Sequence, residues 1–205
     1  MKRIPLLSLF AAALAFSFPA SGQTPAAPAP GAPLAAGTKP KPFSASDTRV
    51  YITEAESMQF QLKLTEKLRG KFRETNPEML AFAGKIGKET TDLYTPGVTM
   101  AQEHGVPGSV DKKTKTGTIP TDISPADKAA FAKVDALNKD EKKWLLALFE
   151  LATKESKKGA AEAEKGAKTA QDPDLKAFTE KVAAMLKSQS ESIEAKFKEL
   201  KAAKK

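Results

Sequence analysis

The chain has 205 residues, with 33 Lys and Arg against 25 Asp and Glu, one histidine and no cysteine. That length suits one ordinary domain with appendages. The lack of cysteine excludes a disulfide framework, thiolate metal sites and a lipid-bearing cysteine, so the fold must rest on its apolar core.

Lys2 and Arg3 precede the apolar run "IPLLSLFAAALAFSF", and Pro19 and small residues, "PASGQT", follow it. This is the order of a secretory signal peptide, with cleavage expected after Gly22 or Ala20. The run falls short of the roughly 20 residues that a membrane span needs. Residues 1–22 are therefore expected to be a signal peptide, and the remainder periplasmic or secreted, with no transmembrane anchor after cleavage. Without Lys2 and Arg3 the chain keeps 31 basic and 25 acidic residues, a net +6. The two signs are interspersed, as on solvated helix faces. Attraction to anionic envelope polymers or lipid headgroups is the sharper alternative.

Residues 23–46, "QTPAAPAPGAPLAAGTKPKPFSAS", are rich in Pro and Ala. Proline removes amide donors and favours extended chain, which makes this a semi-rigid tether or an inert spacer. Residues 47–205 form the expected helical domain. Tyr51, Ala55, Met58, Leu62, Leu68 and Phe72 recur at close to helical spacing, and Ile52, Phe60 and Leu64 widen that face. Asn76-Pro77 restarts the helix: Asn accepts hydrogen bonds from free amides, and proline's missing donor costs nothing at the first position. Met79, Phe82, Ile86 and Leu93 continue the stripe. Pro96-Gly97 predicts a kink or break, with resumption to His104 and a stop at Gly105.

Residues 105–124 read as a long crossover loop. Ser124-Pro125 starts a short helix with Phe131, Val134 and Leu137 on its apolar face. The third long helix is expected from Lys139 to Thr169. Its first half, "WLLALFEL", is apolar almost all round, whereas Gly159, Ala160, Ala163, Gly166 and Ala167 make the second half small. Such a half either approaches a neighbour closely or frays. Asp172-Pro173 starts the fourth long helix, with Leu175, Phe178, Val182, Met185, Ile193, Phe197 and Leu200 at helical spacing and Gln189 as the polar exception.

"NPEMLAFAGKI" at 76–86 matches "DPDLKAFTEKV" at 172–182, with Pro77/Pro173, Ala81/Ala177, Phe82/Phe178 and Lys85/Lys181 identical. Each copy begins the second helix of a helical hairpin, through duplication or through convergent capping chemistry. Phe82 and Phe178 then read as equivalent packing residues. The expected fold is all-α: a ferritin-like four-helix bundle of two helical hairpins, with a long crossover and a short extra helix.

"NPEMLAFAGKIGKETTDL", the hairpin ending "EHGV" and "DPDLKAFTEKVAAMLKSQ" resemble the bacterial family catalogued as domain of unknown function 4142. The resemblance covers roughly residues 47–200 and extends to Trp144 near the start of the third long helix. It implies an exported ferritin-like bundle, of the kind described as outer-membrane or periplasmic. The family pattern places a histidine inside three of the helices. By register those positions are Thr90, Ser156 and Gln189 here, which implies a lost metal site or a weaker hydrogen-bonded layer.

A di-iron site of the ferritin type needs Glu-x-x-His pairs. The residue three before His104 is Ala101, so the motif is absent. His104 reads as a helix-end residue, with metal ligation as the lesser alternative. Glu54, Glu56, Glu66, Glu89 and Glu155 lie on candidate bundle helices, but interleaved lysines suggest solvated faces. "KKTKTG" at 112–117 lacks the aromatic neighbours that nucleic-acid binding usually adds. It reads as a solvated loop or an anion contact. No phosphate loop or nucleophile elbow is present. The expected sets of catalytic, cofactor-binding and metal-binding residues are all empty. The expected function is an exported, non-catalytic envelope binding or structural module. The alternative is a degenerate ferritin-like metal or redox protein. The partner is an envelope component or a second copy, and the apolar turn around Trp144 is either the contact surface or part of the core.

Overall fold

The structure, a computed structural model, describes residues 40–73, 75–108 and 118–202. The expected signal peptide, most of the Pro/Ala-rich stretch and the basic cluster at 112–117 lie outside the described residues. Among those described, the chain is all helical: α1 (Ala45–Phe72), α2 (Pro77–Glu103), α3 (Pro125–Asp135), α4 (Glu141–Thr169) and α5 (Pro173–Ala202).

Each helix starts on a side-chain cap. The amides of Asp47, Met79, Asp127 and Lys143 donate to Ser44 Oγ, Asn76 Oδ1, Ser124 Oγ and Asp140 Oδ1 at 3.0–3.1 Å. Asp172 Oδ1 takes the amides of Asp174 and Leu175 at 3.0 and 3.1 Å. Both copies of the repeat thus begin helices by the expected device. Helix α2 ends at His104, followed by Gly105 at φ +79°, a backbone angle that glycine adopts without strain.

Helices α1 and α2 pair as one hairpin and α4 and α5 as the other, with α1 against α4 and α2 against α5. Polar contacts fix their directions. At the near end, where α1 starts, the Phe43 amide donates to the His104 carbonyl at 3.0 Å. There too the Gln171 amide, just past α4, donates to Asp47 Oδ1 at 2.8 Å. At the far end Phe72 meets Trp144 edge to face at 6.2 Å, and Lys196 pairs with Glu78. Helices α2 and α4 therefore run the same way, and the chain between them crosses the length of the bundle. The two repeat copies consequently sit at opposite ends. Helix α3 lies on this crossover and stacks Phe131 on Phe60 at 5.1 Å.

Several expectations are refined. Helix α2 runs unbroken through Pro96, whose ring sits on the exposed side. Gly97 is buried instead, because a Cβ there would lie 2.6 Å from the Phe178 ring. The small half of α4 does not fray. A Cβ on Gly159 would lie 3.1 Å from Ser57 Oγ, so these residues set a close approach to α1. Leu137 falls beyond the end of α3 and is exposed. Phe178 is buried, whereas Phe82 is half-buried against Phe149, because the repeat copies meet different neighbours. Trp144 is 3% exposed and forms core with Phe72, Leu145 and Leu148, so most of the apolar turn faces inward, with Leu146 and Ala147 partly exposed.

Candidate functional site

The apolar interior falls into two clusters. The far one gathers Phe60, Leu64, Ile86, Phe149 and Ile193 among others; the near one gathers Tyr51, Met58, Ala160, Val182 and Leu186. Between them in register lies a polar layer to which each long helix contributes: Gln61 from α1, Thr90 from α2, Ser156 from α4 and Gln189 from α5. All four are at most 1% exposed. Gln61 Nε2 contacts Ser156 Oγ at 2.8 Å. Gln189 Nε2 donates to Thr90 Oγ1 at 3.2 Å and is 3.3 Å from both the Ile86 carbonyl and Glu89 Oε2.

The three positions singled out in sequence therefore lie at one level, where two separate hydrogen-bonded pairs form, Gln61 with Ser156 and Gln189 with Thr90. Gln61 was not foreseen; its position inside the α1 apolar stripe was the available signal. Gln189 is oriented by its chemistry, since the Ile86 carbonyl can only accept. Its Oε1 is left without a partner, as is Oε1 of Gln61. These donors do not fit a transition metal. Hydroxyl and amide oxygens are neutral and bind such ions weakly beside imidazole or thiolate.

Near the near end, Glu54 is 1% exposed and neither carboxyl oxygen has a hydrogen-bond partner. Burial raises its pKa from an ordinary 4.5 to about 8, which the neighbouring Thr179 hydroxyl only partly offsets. That hydroxyl gives its hydrogen to the Leu175 carbonyl at 2.7 Å. Burial therefore favours the protonated form of the Glu54 carboxyl. Gly166 makes room for it, since a Cβ there would lie 2.6 Å from Oε1. The carboxyl lines a cavity of about 250 Å³ with Arg49, Thr53, Glu162 and Lys165. Tyr51 is also fully buried with an unpartnered hydroxyl, and burial raises its pKa. Glu56 and Glu66 are exposed, and Glu89 and Glu155 partly so. Burial, then Asp127 and Glu162, raise the Glu56 pKa while Lys158 lowers it. His104 ends α2 as expected and is buried.

On the outer face, α1 and α2 leave a groove of about 960 Å³. Gly70, Gly84 and Gly87 open it, Leu62 and Leu80 give it apolar walls, and Arg69 and Arg73 edge it. The other charges here are matched, Lys63 to Glu66 at 2.7 Å and Lys88 to Asp92 at 2.5 Å. Neither arginine enters a salt bridge among the described residues.

No family model, curated protein or solved structure matches the chain.

Proposed function

We propose that the chain is an exported, non-catalytic helical module of the bacterial envelope that binds an acidic protein segment in the α1/α2 groove. The groove carries this reading: it joins apolar walls to two arginines that enter no salt bridge among the described residues. Arg69 and Arg73 stand one helical turn apart, which suits paired carboxylates on a helical segment laid along the apolar walls. The resemblance to domain of unknown function 4142 and the expected signal peptide support the envelope assignment. The lengthwise crossover supports a ferritin-like arrangement. A degenerate metal protein is the weaker reading of the bundle interior, because the residues at the histidine positions are neutral donors.

The test is photo-crosslinking in the native envelope from a probe at Gly84. The expected result is an adduct with an acidic protein that Arg69→Glu/Arg73→Glu abolishes. The Lys154→Glu/Lys168→Glu control on α4 should retain it. An adduct indifferent to the arginines, or binding only to vesicles of anionic lipid, would overturn the proposal.

A further inference from the structure

His104, Asp172 and Asp174 come from opposite parts of the chain and meet at the near end of the bundle. One ligand atom from each lies within 4.8 Å of the others, the one such group of three among the described residues. We propose that they bind a divalent transition cation of the zinc class.

The imidazole is fixed in place before any ion arrives. Its ring is 5% exposed and stacks on Phe43 with centroids 4.2 Å apart. Nδ1 lies 2.8 Å from the Lys41 carbonyl. A carbonyl can only accept, so Nδ1 carries a hydrogen and Nε2 is the nitrogen left to face a ligand. Nε2 has no hydrogen-bond partner among the described residues and faces Asp174 Oδ2 at 3.8 Å. Asp172 Oδ2 lies 3.6 Å from Nδ1. Two carboxylates beside an imidazole nitrogen favour a cation between them. An imidazole tied to a carbonyl through its other nitrogen is the usual setting of a metal-bound histidine.

The spacing suits such an ion. Bonds of about 2.0–2.2 Å around a tetrahedral ion put ligand atoms roughly 3.3–3.5 Å apart. The three ligand atoms lie within 4.8 Å of one another, so the site has to draw together on an ion, and Asp174, 77% exposed at its side chain, is free to move. Asp172 spends Oδ1 on the α5 amides and keeps Oδ2 for the ion. Three protein ligands leave one position for water or an outside group. One imidazole with two carboxylates matches zinc-class ions better than calcium or magnesium, which take oxygen shells. Because the Phe43 amide donates to the His104 carbonyl at 3.0 Å, an ion here also fastens the stretch leading into α1.

Isothermal titration of the full-length chain with zinc tests the site. The expected result is one equivalent bound. His104→Asn, Asp172→Asn or Asp174→Asn should each weaken it by about tenfold or more. Asparagine at 172 keeps the helix cap while removing the charge. Asp174 is exposed, so its variant leaves folding intact and keeps the test decisive. Hydrogen exchange gives a second readout: zinc should slow exchange of the Phe43 amide in the wild type and not in Asp174→Asn. Absence of zinc binding to the wild type, or binding that all three variants retain, would overturn the site.

Discussion

Glu54 holds its proton because water is excluded, and that links stability to pH. Its folded pKa, about 8, lies above the ordinary 4.5 expected of the unfolded chain. The folded state therefore binds the proton more tightly. The resulting stabilisation is full below about pH 4.5 and is lost as pH rises towards 8, at up to about 1.4 kcal/mol per pH unit. Glu54→Gln keeps the shape without the titration. Denaturant midpoints across pH 5–9 should fall less in the variant, which should be the more stable protein at pH 9. An unchanged difference between the two proteins across that range would refute the assignment. The signal that separated Glu54 from Glu56 was its helical spacing, three after Tyr51 and four before Met58, which the charge-rich composition of α1 masks. The glycine that accommodates Glu54 lies on another helix, and one-dimensional spacing does not show that pairing.

At the level of elements, the sequence was most legible where the physics is local. Asn76-Pro77, Ser124-Pro125 and Asp172-Pro173 mark helix starts through bonds that span three residues. It was least legible where neighbours decide. Pro96 reads as a break, yet a proline on an exposed helix face forfeits one bond without ending the helix. The glycines divide in the same way. Gly70 has nothing within 4 Å of a notional Cβ, so Gly70→Ala should stabilise α1 by about 0.5–1 kcal/mol. Gly166→Ala gains the same propensity but drives its methyl into Glu54, Val50 and Thr179. Overpacking of about 1–3 kcal/mol should leave it net destabilised. Thermal melts that move both variants the same way would contradict the packing described. The Ala-Phe repeat is subject to the same rule. Phe178→Ala should cost about 3–5 kcal/mol, and Phe82→Ala distinctly less, since only Phe178 is buried. Equal losses in chemical denaturation would restore their equivalence.

For the whole molecule, the layer of Gln61, Thr90, Ser156 and Gln189 fixes how the helices line up. Sliding one helix by a turn would strand an amide in hydrocarbon, a penalty that apolar contacts alone do not impose. Gln61→Leu/Ser156→Ala/Gln189→Leu removes two unpartnered buried carbonyls together with the hydroxyl that Gln61 satisfies, and should raise the melting temperature. Its amide spectrum should also broaden as alternative registers become accessible; a sharp single spectrum would deny the layer its aligning role. Gln189 was visible as the polar interruption of its stripe, whereas Thr90 and Ser156 were singled out only through the family resemblance. The layer's pairing of α1 with α4 and of α2 with α5 was not visible, since hydrogen bonds between residues about a hundred positions apart leave no local pattern. The length of α1 has a further, purely spatial consequence. Arg69 follows Ala45 by 24 residues on an unbroken helix, a span of roughly 36 Å at 1.5 Å per residue. α1 thus acts as a fixed-length boom that holds the arginine-edged groove that far from the near end of the bundle.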